Sequence, residues 1–223
     1  MALNFRDWDR WFASYLDYLL EFAELARDIH ADLLSIGVEF KSSTAAFDNK
    51  WRYIIARIKE VYSGALTYSA NWDEIEQISF WDELDFIGVN AFWPIAREPA
   101  DRYLQMKENV KTIADNLESL YVIYNKPILF TEMGIKSSLG SALAPWQWPE
   151  HLSNEKYSEE YQADGYDAIL NVMTDRFWFK GLFIWKYFAD PYDETQEPIT
   201  GFSPQNKLAE SVLENYFQKE WML

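Results

Sequence analysis

The sequence predicts an α/β fold, a parallel sheet flanked by helices, on three observations. Five short apolar runs alternate with amphipathic helical stretches at about the spacing of βα units. No run is followed by G-x-G-x-x-G or by a P-loop, so the nucleotide-binding version of such a sheet lacks its main signal. Polar or aromatic residues, Glu39, Asn71, Asn90, Glu132 and Trp185, sit instead at the C-terminal ends of the runs, where a barrel of this kind keeps its site. The alternation fits a TIM barrel or an open doubly wound sheet.

The elements follow in order. From Trp8 to about Asp32, Trp11, Tyr15, Tyr18, Leu19, Phe22, Leu25, Ala26 and Ile29 recur at three and four, the stripe of an amphipathic helix. Leu33–Phe40 is a near-continuous apolar run that closes on Glu39. Lys41–Phe47 reads as a polar loop, and Asp48 as the cap of a helix from about Lys50 to Tyr62, stopped by Gly64. Ala65–Ala70 is the next strand, ending in Asn71, Trp72 and Asp73; after a short segment, Asp85–Phe92 is the third. Pro94 and Pro99 mark a long loop before a helix from about Asp101 to Tyr124. Pro127 breaks that helix, Ile128 to Thr131 are β-formers, and Gly134 lets the backbone turn after Glu132. Lys136–Ser153 is aperiodic, and a loop of that length in a compact domain is more often functional than idle. A helix from about Glu155 to Arg176, a strand over Gly181–Phe188, a polar loop over Tyr192–Phe202 and a closing helix from Ser203 or Asn206 complete the chain.

Composition excludes several classes of function. With 49% hydrophobic and 18% aromatic residues in 223, the chain has ample material for a core and reads as one domain. A formal charge of −16, without any basic cluster, argues against nucleic acid and anionic membrane surfaces as partners. No stretch reaches the roughly 18 apolar residues of a membrane span. There is no cysteine and there are only two histidines, His30 and His151, so thiolate and multi-histidine metal sites are ruled out. The N-terminus, MALNFRDWDRWF, lacks the apolar core of a signal peptide, which tips the compartment toward the cytoplasm. Large aromatic faces suit the apolar faces of sugar rings.

A carboxylate at the mouth of a buried strand is costly unless paired or hydrogen-bonded, so Glu132 has a purpose or caps the next element. Two carboxylates that end two parallel strands can perform glycoside hydrolysis. One protonates the departing oxygen while the other, ionised, attacks the anomeric carbon. A separation of about 5 to 5.5 Å gives retention of configuration, and a wider one gives inversion.

The stretch LTYSANWDEIEQISFWDELDFIGVNAFWPI, Leu66 to Ile95, resembles glycoside hydrolase family 113, a β-mannanase family of the clan of retaining TIM-barrel glycosidases. So do LLSIGVEF before it, KPILFTEMGIKS after it, and GLFIWKYFADP with FSPQNKLAESVL near the end, all in the family's order. The resemblance implies an α/β fold of TIM (β/α)8-barrel type. It makes Glu39 the acid/base on strand four and Glu132 the nucleophile on strand seven, and places Asn71, Trp72, Asn90, Trp93 and Trp185 where the family binds sugar. Many clan members carry Asn immediately before the acid/base; Val38 stands there in this chain.

Counted back from the last strand, the chain holds strands four to eight, with the first three units missing. Five parallel strands cannot close as eight do, which leaves an unpaired edge at Leu33–Phe40. The expectation is therefore an N-terminally truncated barrel domain, the C-terminal part of a larger enzyme, with self-association or a second chain that completes the barrel as the alternative. Its chemistry is double displacement on β-mannan or manno-oligosaccharides and needs no cofactor. A carbohydrate-binding remnant without useful catalysis is the reading from a different class. A barrel lyase or isomerase is a third, disfavoured by the lack of usable histidines and of a phosphate-binding glycine loop.

Overall fold

The computed structural model describes residues 5–148, 156–190, 192 and 195–218. Its elements run α1 (Phe5–Asp28), β1 (Leu33–Val38), α2 (Lys41–Thr44), α3 (Asp48–Lys59), β2 (Ala65–Asn71), β3 (Ile87–Asn90), α4 (Tyr103–Tyr124), β4 (Ile128–Met133), α5 (Glu159–Met173), β5 (Phe179–Ile184) and α6 (Leu208–Phe217). The strands form one five-stranded parallel sheet in the order β1-β2-β3-β4-β5. Each neighbour in space is thus the neighbour in sequence. That is the right-handed βαβ logic of a chain whose apolar runs are separated by helices.

The chain packs as two compact units, Met1–Gly88 and Val89–Leu223. The first is built on Trp51 of α3, which is fully buried and within 6.4 Å, centroid to centroid, of Trp11, Phe12, Tyr15, Phe40, Tyr68 and Phe80. Edge-to-face and stacked aromatic pairs of this kind add about 0.5–1.5 kcal/mol each beyond their buried area. In the second, α5 packs against both α4 and α6. Met106, Val110, Ala114 and Leu117 meet this core from α4, Ile169, Leu170 and Met173 from α5, and Phe130, Trp178 and Phe179 from the sheet side.

Several expectations are corrected. The polar loop after Glu39 contains a short helix, α2, because the hydroxyls of Ser43 and Thr44 bond back to the Phe40 and Lys41 carbonyls. Asp48 does not cap α3: it lies inside the helix and binds Arg52 at 2.8 Å and the Ser79 hydroxyl at 2.5 Å. α5 begins at Glu159, capped by Ser158, whose Oγ accepts from Tyr161 N at 3.2 Å. The last strand runs Phe179–Ile184 and stops short of Phe188, whose backbone is bonded to Gln205 instead. Asn125, in the left-handed region at φ 51°, ends α4 before Pro127. Pro149, His151, Ser153 and Glu155, which the sequence reading placed in the aperiodic loop and at the start of α5, lie outside the described residues.

Candidate active site

In the first unit the site begins where β1 loses its regular register with β2, between Ser35 and Val38. Such irregularities re-aim the side chains that follow. Glu39 comes next, with φ at 53°, a conformation that is costly for a residue with a Cβ and that persists where surrounding structure imposes it. Two hydrogen bonds impose it here. Glu39 N donates to the Ser69 carbonyl at 3.0 Å, and Phe40 N donates to the Tyr68 hydroxyl at 2.6 Å. The Tyr68 ring is itself buried against Trp51 and Phe80. Burial pushes its phenol pKa up, and the negative charges of Glu74 and Glu39 add to that.

Asn71 and Trp72, both half-buried, follow at the end of β2. The turn that carries them is held by Glu74, a buried carboxylate that accepts from Asn71 N at 2.9 Å and from the Thr44 hydroxyl at 3.4 Å. Burial raises the pKa of Glu74, against the hydrogen bonds from Asn71 and Thr44 and the attraction of Lys41. The side-chain oxygen of Asn71 is buried and has no hydrogen-bond partner among the described residues. A groove of about 260 Å³, lined by Trp8, Trp11, Glu39, Phe40, Lys41, Ser42 and Ser43, opens beside the Glu39 carboxyl.

In the second unit Asn90, Glu132 and Trp185 lie at the ends of β3, β4 and β5, whereas Trp93 lies beside Phe130, Val110 and Ile113 of α4 and Ile169 and Met173 of α5. Glu132 is half-buried, and its carbonyl accepts from Ala91 N at 2.7 Å. The preceding hydroxyl, on Thr131, donates to Asn90 Oδ1 at 2.8 Å, which fixes the buried Asn90 amide. Trp93 rests on Phe130 at 5.8 Å, and Trp185 N donates to the Met133 carbonyl at 2.8 Å. Gly134 is required at the turn: a Cβ there would stand 2.1 Å from the Trp185 carbonyl oxygen. The Trp185 ring meets Trp148 edge-on at 6.2 Å.

Behind this set, the loops after β4 and β5 are tied together. Gln162 Nε2 donates to the Ile135 and Phe202 carbonyls at 2.8 and 3.0 Å, and Lys207 Nζ donates to Ser137 Oγ at 2.9 Å. Burial lowers the Lys207 pKa. A cavity of about 750 Å³, lined in part by Tyr157, Phe188, Glu197 and Lys207, lies here and contains none of the residues expected from sequence. Among the described residues no group of three or more His, Asp or Glu is arranged to hold a metal ion. No described helix is long and apolar enough to cross a membrane.

Carboxylates, amides and flat aromatics at the ends of parallel strands are what a sugar-cleaving barrel requires. The sequence profile of Glycoside Hydrolase Family 113 matches residues 3–207. The chain belongs to this family. It is similar to a solved GH113 β-1,4-mannanase at 28% identity, with a TM-score of 0.81 over 99% of this chain and 67% of that one. The structure of a GH113 β-1,4-mannanase complex matches at 26% identity and a TM-score of 0.80, again over 99% and 67%. The fold is shared as well with GH113 β-mannanase AaManA from Alicyclobacillus acidocaldarius in complex with ManMIm, at 24% identity, a TM-score of 0.79 and coverage of 97% and 65%. The chain thus spans about two thirds of the length of these structures. No curated protein matches it.

For this family 113 chain, sequence reasoning found the strand-end residues and missed their supports. By sequence Tyr68 is one more residue of an apolar strand, Glu74 opens the short segment before the third strand, and Thr131 is a β-former. Trp11 belongs to the amphipathic stripe of the first helix, and Trp8 marks its start. Only the position of Trp8 and Trp11 in the first turns of the helix that enters β1 hinted that they reach the groove at its end.

Proposed function

We propose that the chain is a retaining glycoside hydrolase acting on β-mannan or manno-oligosaccharides, its strands corresponding to strands four to eight of a (β/α)8 barrel. Glu132 is the nucleophile. The observation that carries this reading is the position of Glu132, Asn90 and Trp185 at the ends of adjacent parallel strands in a family 113 chain. The β-1,4-mannanases among the similar structures supply the substrate class.

The chemistry follows from the two carboxyls. Glu39 donates a proton to the glycosidic oxygen while Glu132 attacks the anomeric carbon, and the carbon–oxygen bond breaks to leave a glycosyl ester on Glu132. Glu39, now ionised, takes a proton from water, which displaces Glu132 at the same carbon. Two inversions give net retention. Trp185 offers a flat apolar face to the sugar ring, and Asn71 and Asn90 offer amides to its hydroxyls. Neither step calls on a metal or an organic cofactor.

The exposure of Glu39, just past β1 at the end of the sheet, supports a second reading, a binding remnant of such a barrel without turnover. Incubation with mannotetraose, with the anomer of the fresh product read by NMR, tests the first reading directly. A product of retained configuration that disappears in Glu132→Gln is the expected result; an inverted product, or undiminished hydrolysis in the variant, overturns it. Binding without hydrolysis identifies the remnant.

A further inference from the structure

We propose that Glu74, a carboxylate the reaction itself does not use, is a positioning residue that sets the turn carrying Asn71 and Trp72 against the segment that follows Glu39. This inference rests on the reading of Glu39 as the acid/base. Glu74 is 1% exposed, and each of its carboxylate oxygens receives a donor from a different part of the first unit. Asn71 N donates to Oε1 at 2.9 Å from the end of β2, and the Thr44 hydroxyl approaches Oε2 at 3.4 Å from α2, which begins at Lys41, just past Glu39. The backbone of Glu74 closes the same turn: its N–H donates to the Asn71 carbonyl at 3.0 Å, and its carbonyl accepts from Gln77 N at 2.8 Å. Tyr68 links the two acids. Its hydroxyl accepts from Phe40 N, and the charges of both Glu74 and Glu39 act on its phenol.

A carboxylate is a costly way to fill this place. Burial raises the pKa of Glu74 against the hydrogen bonds from Asn71 and Thr44 and the attraction of Lys41, and the negative charge of Asp73 raises it further. The ionised form therefore costs stability, which a neutral amide of the same shape would not. A group kept at a cost in stability, beside a reactive residue, is one that function requires. Ionisation provides two acceptor oxygens and no donor, so that one small group receives both segments at once. The other tie between them, Lys41 Nζ to Asp73 at 2.6 Å, is half exposed, and pairs of that kind contribute little. The buried link through Glu74 is thus the one that keeps the Glu39 turn and Asn71 in fixed relation.

Glu74→Gln replaces one acceptor by a donor. Its kcat/KM on mannotetraose should fall about tenfold, as a small misplacement of reacting groups does, while its melting temperature at pH 7 stays equal to or above that of the unmodified protein. Unchanged kcat/KM, or activity and melting temperature lost together as for a residue that only supports the fold, overturns the assignment. Thr44→Val is the second variant, read by hydrogen exchange and mass spectrometry, which needs no turnover. It leaves the bond from Asn71 N untouched. Exchange faster by about fivefold over residues 68–77 as well as over 39–47, the effect of one lost hydrogen bond passed across the link, supports the tie through Glu74. Exchange that rises over 39–47 alone, or over neither, overturns it. If the unmodified protein does not hydrolyse mannotetraose, the hydrolase reading fails, and the exchange result by itself decides whether Glu74 joins the two segments.

Discussion

Glu39 and Glu132 each follow an apolar run of a parallel strand, yet their backbones are held by different means. Glu132 lies within β4, which has a strand on either side, and its own carbonyl is bonded to Ala91 N. Glu39 lies just past β1, a strand with one neighbour, in a left-handed conformation kept by Ser69 and by the Tyr68 hydroxyl. A residue in a ladder is placed by many weak restraints, and loss of any one moves it little. A strained residue at an edge is placed by a few, each of which counts.

The largest effect expected is chemical. Glu132→Gln should lower kcat by about 10⁴-fold or more with an unchanged melting temperature, as removal of a nucleophile does. Glu39→Gln should cost about 10²–10⁴-fold on mannotetraose, and far less on a nitrophenyl mannobioside whose leaving group needs no proton. Equal sensitivity to both substrates would take the acid role from Glu39.

Next come the two glycines that adjoin the carboxylates. Alanine at Gly134 meets a backbone oxygen at 2.1 Å, while alanine at Gly37 meets ring atoms of Tyr68 at 2.9 Å and Trp51 at 3.1 Å. Urea denaturation should show Gly134→Ala destabilised by about 1–3 kcal/mol and Gly37→Ala by less, because rings yield more readily than a peptide. The reverse order would mean that the buried Trp51 cluster is the stiffer of the two.

The contrast in anchoring predicts unequal results for two hydroxyl deletions. Tyr68→Phe strips the partner from Phe40 N and should cost about 1 kcal/mol of stability and a several-fold loss of kcat with little change in KM. Thr131→Val, beside the ladder-held Glu132, should lower kcat about twofold at most. Comparable losses would show that both carboxylates depend equally on one hydroxyl.

The smallest effect is a pH dependence. The folded-state pKa of Glu74 is raised by burial, so its contribution to stability is complete below its ordinary value of 4.5 and is lost as pH rises through the raised value. Melting curves of Glu74→Gln and the unmodified chain should therefore converge at the acid end, and the unmodified chain should lose ground relative to the variant as pH rises. Parallel curves would remove Glu74 as the source.

What was legible in the sequence was whatever repeats. The long helices announced themselves by a stripe of period 3.6 and the strands as short apolar runs between them, and Glu39, Asn71, Asn90, Glu132 and Trp185 stood out at the ends of those runs. The four-residue α2 is too short for a period and owes its existence to the hydroxyls of Ser43 and Thr44. Asp48 looks like a cap by type, but its carboxylate is engaged by Arg52 and Ser79, the latter 31 residues away. Tyr68 illustrates the general limit: apolar enough to be called core, it acts through one oxygen that finds its donor 28 positions distant.

The order of the sheet has a further consequence, for the way the chain is made. Among the described residues each strand pairs with the one before and the one after it along the polypeptide. A helix's length of chain separates one strand from the next, and translation at about 5–20 residues per second delivers each strand seconds after its predecessor. The sheet can accordingly be laid down as it emerges, one hydrogen-bonded edge at a time, each new edge waiting only for the next apolar run.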